Sequence, residues 1–239
     1  MEHIELSIIV PCLDESGNIV PFTEAVKSAL PDVNWEIVFV DDNSRDGTIG
    51  EIRSLARVEP RVRGILRLRR KGLSSAVIEG ALSVSSPYIA VMDGDLQHDE
   101  SCLRPMLNFL RLGEADLVVA SRYVEGGGTQ GLSGSWRRFL SKTGIQLVAM
   151  LSRVTLSDPM SGFFMMKRSL FEETAPFLSG KGFKILLDIV LNTRSHMTIA
   201  EVPMVFRKRL YGQSKLGLGV MVSFGVMVVK SALRRRFLS

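Results

Sequence analysis

Asp93-Gly94-Asp95-Leu96-Gln97 follows directly on the apolar run 88–92. A buried strand is therefore expected to end there by presenting two carboxylates and an amide oxygen. Carboxylates one residue apart repel each other unless a hard cation lies between them. Oxygen donors of this kind suit Mg²⁺ or Mn²⁺, which share their coordination with substrate phosphates. Asp41-Asp42-Asn43-Ser44 closes the apolar run 36–40 in the same manner. Ligands of open α/β sheets bind at the carboxyl edge of the strands, so the two clusters point to a divalent metal and a nucleotide diphosphate. A D-x-D is common by chance, and the preceding strand and Gln97 give this one its weight. His98, beside it, reads as a solvated loop residue.

Other groups fall near the same edge. Pro11-Cys12-Leu13-Asp14-Glu15 ends the first apolar run, where its acids can reach donors on a nucleotide base. Arg67, Arg69, Arg70 and Lys71 precede Gly72-Leu73-Ser74; a solvated basic loop and a helix N-terminus approaching phosphates fit equally well. Ser121-Arg122-Tyr123, Trp136-Arg137-Arg138 and the stretch from Arg209 to Lys215 add guanidiniums. Their forked donors match phosphate, which points to a second anionic group. Asp158-Pro159-Met160-Ser161 reads as a turn, either structural or directed at a sugar.

These residues need a frame. Strand-like runs at 6–10, 36–40, 62–68, 88–92 and 117–120 alternate with helical patterns at 18–30, 48–58, 73–83 and 100–112. That alternation predicts an α/β fold, a mostly parallel central sheet with helices on both faces. Asp46 and Thr48 are candidates to cap the second helix. Residues 125–135, rich in Gly and Ser, read as a mobile loop able to close over substrate. A helix over 136–151, a short strand over 163–166, a helix over 182–193 and a strand over 198–202 follow.

The tail changes character, which divides the chain into a catalytic domain at 1–213 and a C-terminal interfacial helix at 214–239. Residues 216–229 are almost wholly apolar or Gly, and Lys230 and Arg234-Arg235-Arg236 follow. A spanning helix needs roughly 20 apolar residues. This run is shorter and broken by Gly217, Gly219 and Gly225. An in-plane helix on anionic headgroups fits it better than a helix packed on the core.

Composition sets the bounds. The chain has 239 residues, 46% hydrophobic and 23% charged, with a formal net charge of +5. That excess suits an anionic substrate or membrane surface better than nucleic acid. Two cysteines without metal spacing give no disulfide framework and point to a reducing compartment. Charged residues lead straight into the first strand, so no signal peptide is expected. No G-x-G-x-x-G follows that strand, which argues against a dinucleotide oxidoreductase.

In order and wording, DDNSRDGT (41–48), GLSSA (72–76), MDGDLQH (92–98), SRY (121–123), DPMSGF (158–163) and YGQSKLG (211–217) resemble the family 2 glycosyltransferases of GT-A fold. The branch they are most similar to is the dolichol- or polyprenol-phosphate mannose synthases, across residues 7 to 216. The resemblance implies that Asp93, Asp95 and Gln97 hold a Mg²⁺ or Mn²⁺ on the nucleotide diphosphate. Pro11, Glu15, Asp41 and Asp42 would line the nucleoside pocket. Arg122, Arg137 and Ser141 would receive a lipid phosphate, Arg209 and Lys215 would help hold the phosphates, and Asp158 and Ser161 would sit near sugar or acceptor. The implied activity is inverting transfer of mannose from GDP-mannose to a polyprenyl phosphate acceptor, peripherally at the cytoplasmic face of a membrane.

Two departures stand out. Leu13, with Cys12 before it, occupies the place of the family's aromatic in the nucleoside pocket, which opens the door to UDP-glucose or another nucleotide sugar. Phe164 stands where the family often has a cation. Many relatives continue into transmembrane segments, so a membrane-protein partner, or a non-catalytic nucleotide-binding membrane subunit, is the remaining alternative.

Overall fold

The computed structural model describes residues 3–128, 156–193 and 196–207. Seven strands form one sheet in the order β3-β2-β1-β4-β6-β5-β7. They are β1 Leu6–Cys12, β2 Trp35–Asp41, β3 Val62–Leu66, β4 Tyr88–Val91, β5 Leu117–Ser121, β6 Phe164–Lys167 and β7 Ile199–Pro203. Only β6 runs against its neighbours β4 and β5; the other pairings are parallel. Parallel pairing puts the ends of β1, β2, β4 and β5 on one edge.

Side-chain alternation explains the layers. Ile8, Val10, Ile37, Phe39, Ala90 and Val118 face one core, where they meet helix α1 Ile19–Ala29, α2 Thr48–Ala56 and α4 Leu103–Arg111. Their neighbours Ile9, Val38, Val40, Ile89, Val91 and Val119 face the other. There they meet α3 Leu73–Leu82, α5 Arg168–Thr174 and α6 Ile185–Asn192. α4 buries Leu103, Met106, Leu107 and Leu110, a helical repeat worth about 1.5–3 kcal/mol per fully buried side chain. α3 comes closest to the sheet at Gly80, where a Cβ would fall 2.5 Å from Ile9 Cγ2.

Among the described residues the expected elements form, with boundary shifts that have local causes. β3 ends at Leu66 because Arg67 turns into the protein and is 3% exposed. The helix expected from residue 100 opens as a 3₁₀ turn, Glu100–Cys102, capped by the Asp99 carboxylate on the Ser101 N–H. α6 begins three residues late, after Gly182 in a left-handed conformation (φ +84°). α5 was not anticipated. Asp46 does tie the start of α2, accepting the Thr48 N–H at 3.1 Å and its hydroxyl at 2.5 Å. The first residues of the expected mobile loop are pinned: Gly128 pairs with Val205, donating to the Met204 carbonyl at 3.0 Å. The remainder of that loop, the helix expected over 136–151 and the tail from residue 208 lie outside the described residues. Among the described residues no helix is long and apolar enough to cross a membrane.

Candidate active site

The turns after β1 and β2 are laced into one wall. The Asp14 N–H donates to Ser44 Oγ at 2.8 Å, the Glu15 N–H to Thr48 Oγ1 at 2.9 Å and the Ser16 N–H to Asp46 at 2.8 Å. Asp14 and Asn43 both adopt positive φ, at +53° and +61°. Asp41 is fully buried and accepts the Ser44 hydroxyl and N–H. Asp42 accepts the Gly72 N–H at 2.6 Å and lies 2.8 Å from the Arg67 guanidinium. Burial raises its pKa, opposed by Gly72 and Arg67. Pro11, Leu13 and Glu15 are half-buried along the same wall. Of the basic run, Arg67 is the structural member, bridging Asp42, Glu79 and the Ser75 hydroxyl, while Arg69, Arg70 and Lys71 are exposed.

The acidic pair follows β4. Asp95 is 5% exposed and accepts the Gln97 N–H at 3.1 Å, whereas the Asp93 side chain is 38% exposed. Leu96, between Asp95 and Gln97, is left-handed, at φ +60°. Such backbone costs roughly 1–3 kcal/mol and concentrates where side chains must be aimed. The Gln97 amide nitrogen donates to the Arg207 carbonyl at 3.0 Å, which fixes its orientation. Among the described residues no cluster of three or more acidic, His or Cys side chains forms a metal cage. Two carboxylates and an adjacent amide fit a Mg²⁺ or Mn²⁺ that completes its shell with phosphate oxygens and water, not a structural metal.

His98 corrects the solvated-loop expectation. It is 3% exposed, stacked on Phe163 at 5.5 Å and edge-on to Phe206 at 5.6 Å. Its Nδ1 accepts the Asp93 N–H at 3.2 Å, so the proton of the neutral ring sits on Nε2. Burial pushes its pKa down to about 4. The ring is a prop beneath Asp93 and no base at neutral pH.

Arg122, just past β5, and Asp158 form a buried ion pair. Nε and Nη2 donate to the two carboxylate oxygens at 2.7 and 2.8 Å, and the Arg122 N–H adds a third bond at 3.2 Å. Asp158 is fully buried and the Arg122 side chain is 12% exposed. A guanidinium has five N–H donors; among the described residues Asp158 takes two of Arg122's, which leaves donors for a second anion. Ser161 is committed to its own turn: its hydroxyl donates to the Ala120 carbonyl at 2.8 Å and accepts the Phe163 N–H at 3.1 Å. Gly162 joins this segment to the acidic pair, since a Cβ there would lie 2.8 Å from Asp93 Oδ2.

The edge therefore brings together Pro11, Leu13, Glu15, Asp41, Asp42, Asp93, Asp95, Gln97, Arg122, Asp158 and Ser161. Arg137, Ser141, Arg209 and Lys215 lie outside the described residues. Sequence reasoning missed Lys184, half-buried and lowered to about 8 by burial and by Arg122, with Asp158 opposing. It also missed Phe206, 5.5 Å from the Arg122 guanidinium. Their partners are remote in sequence, and only a lysine directly before a helix gave any local signal. Cys12 and Cys102 are buried thiols, and burial pushes Cys102 up to about 12.

The family model Glycosyl transferase family 2 matches residues 7–175. Dolichol-phosphate mannosyltransferase of Saccharomyces cerevisiae is 36% identical over 229 residues, 92% of this chain and 84% of the yeast protein. The protein of that name from Pyrococcus furiosus is 35% identical over 215 residues; the match takes in 89% of this chain but 59% of the relative, so the chain spans under two thirds of its length. Among solved structures, glucosyl-3-phosphoglycerate synthase from Mycobacterium tuberculosis, in complex with Mn²⁺, UDP-glucose and phosphoglyceric acid, superposes with a TM-score of 0.69 at 20% identity. That superposition covers 97% of this chain and 79% of the other. It bears out the sheet and helix layers expected from sequence. With a family match across most of its length, running through the same strand ends that carry its carboxylates, the chain belongs to glycosyl transferase family 2.

Proposed function

We propose that this glycosyltransferase moves mannose from GDP-mannose to a polyprenyl monophosphate, with inversion, at the cytoplasmic face of a membrane. The close approach of the Gly162 backbone to Asp93, leaving no room for a Cβ, carries the reading. It joins a carboxylate pair suited to a nucleotide diphosphate to the Arg122–Asp158 pair suited to a phosphate acceptor. Identity with dolichol-phosphate mannosyltransferases supports the sugar and the acceptor class.

Asp41, Asp42, Glu15, Pro11 and Leu13 form the wall for the nucleoside. Asp93, Asp95 and Gln97 would hold the divalent cation, which neutralises charge on the departing diphosphate when bound. The remaining Arg122 donors orient the acceptor phosphate, with Lys184 adding charge beside them. An acceptor oxygen attacks the anomeric carbon in line, the bond to the nucleoside diphosphate breaks, and the diphosphate leaves with the electron pair. A phosphate monoester is already anionic near neutral pH, so no general base is needed, and positioning and electrostatics supply the rate. The neutral, buried His98 agrees with this. Arg137, Ser141, Arg209 and Lys215 complete the phosphate contacts in this proposal, and residues 214–239 keep the domain on the bilayer.

The test is transfer by the full chain, with Mg²⁺ or Mn²⁺ and polyprenyl phosphate, from GDP-mannose and UDP-glucose separately. Mannolipid formed from GDP-mannose supports the proposal. Glucolipid alone would reassign the donor, in keeping with Leu13, and nucleotide binding without transfer from either would favour a non-catalytic subunit.

A further inference from the structure

Two loops at the carboxyl edge, 67–72 and 179–184, meet beside α3. The Gly182 carbonyl accepts both the N–H and the hydroxyl of Ser74, at 3.2 and 2.9 Å. Arg70 and Gly180 border the same surface hollow of about 360 Å³. Both loops are held from beneath. Arg67 donates to the Gly72 carbonyl at 3.3 Å and the Ser75 hydroxyl at 2.6 Å, while buried Asp188 accepts the Ser179 N–H and hydroxyl at 2.8 and 2.7 Å. Each presents one large apolar side chain to solvent, Leu68 at 67% exposure and Phe183 at 44%.

Isolated exposed apolar residues need no explanation. What sets these two apart is their flanking charge. Leu68 is followed by Arg69, Arg70 and Lys71, and Phe183 lies between Lys181 and Lys184. Val58 and Leu112, equally exposed, have acidic and basic neighbours mixed. Among the described residues the acids at these loops include Glu79, 3.5 Å from Arg70 and shared with buried Arg67, and the buried Asp42 and Asp188, which hold Gly72 and Ser179 from beneath. An apolar tip ringed by cations is complementary to a bilayer with anionic headgroups. The tip enters the interface and each nearby cation adds roughly 1 kcal/mol.

We propose that Leu68 and Phe183, with Arg69, Arg70 and Lys181 around them, form a membrane-docking face that seats the carboxyl edge of the sheet on anionic lipid. The orientation follows. Phe183 adjoins Lys184, which lies beside Arg122, so a lipid phosphate at the surface meets the acceptor side of the site first. The inference rests on the proposed function only for that last step, and its test does not depend on transfer.

The test is sedimentation of the full chain with vesicles of phosphatidylcholine alone or mixed with phosphatidylglycerol. Two double variants, Leu68→Ser with Phe183→Ser and Arg70→Gln with Lys181→Gln, are compared with the parent. At about 1 kcal/mol per cation, the charge variant should lose roughly thirtyfold in partition onto the anionic vesicles. The apolar variant should lose tenfold or more on the same vesicles. None of the four residues belongs to the nucleotide wall, so GDP binding and melting temperature stay at parental values. Partition unchanged within about twofold in both variants, or equal parental binding to neutral and anionic vesicles, overturns the docking face. Loss of partition in variants of a chain that transfers no sugar would leave the face standing and sink the proposed reaction instead.

Discussion

Gly162→Ala tests the acidic pair with a single methyl group. That methyl would lie 2.8 Å from Asp93 Oδ2, 3.3 Å from the Asp93 carboxyl carbon and 3.2 Å from His98 Cε1. Non-bonded carbon contacts settle at roughly 3.5–4.0 Å, so something must retreat by about half an ångström. The His98 ring is clamped between Phe163 and Phe206. The Asp93 side chain, 38% exposed, is the partner able to move. Gly162 has no left-handed φ to lose, so the backbone accepts alanine. Metal–ligand distances tolerate only about ±0.2 Å, so the shift is large for a cation and small for the fold. We predict a melting temperature within about 3 °C of the parent, equivalent to roughly 1 kcal/mol. The metal concentration for half-maximal transfer should rise roughly 10–100-fold, as for other disturbed supports of metal ligands. An unchanged metal requirement in a folded variant would refute Asp93 as a ligand. A collapse in stability would refute the claim that Asp93 is the group that yields.

Asp158→Asn leaves the Arg122 guanidinium buried without its counter-charge. Breaking such a pair costs about 3–5 kcal/mol, or roughly 6–20 °C in a chain of this size; a melting temperature within 2 °C of the parent would contradict the geometry. Lys184, lowered to about 8, is charged below that pH and neutral above it. kcat/KM for the acceptor should therefore fall as pH rises through about 8, and Lys184→Met should abolish that inflection. Stability runs the other way. A depressed lysine penalises the folded state while charged, so stability should rise between about pH 8 and the ordinary lysine value of 10.5, a rise that Lys184→Met removes. A flat denaturation profile in the parent would contradict it.

Much of this was legible in the chain. Near-continuous apolar runs at 6–10 and 36–40 mark strands covered on both faces, and acids directly after them must lie at the carboxyl edge. Facts that depend on remote partners were not legible. Of the four cations at 67–71, only Arg67 points inward, a choice made by Asp42 and Glu79. His98 looks solvated until Phe163 and Phe206 close over it. Asp158 and Ser161 were read as a turn, either structural or directed at sugar or acceptor. In the fold Asp158 is the counter-ion of Arg122, and Ser161 ties its turn to the end of β5. The cations flanking Leu68 and Phe183 were in plain view, but nothing local says that their loops meet.

The most direct test of the central claim is metal-dependent mannosyl transfer from GDP-mannose to polyprenyl phosphate, in the parent and in Asp95→Asn. Asp95 is 5% exposed and already accepts the Gln97 N–H, so the amide should keep the turn and lose only the charge. We predict transfer that chelation abolishes and metal restores in the parent, and a folded Asp95→Asn protein with transfer lowered at least a hundredfold. Parental transfer that survives chelation, or a folded variant as active as the parent, would contradict the assignment of this carboxyl edge as the catalytic site.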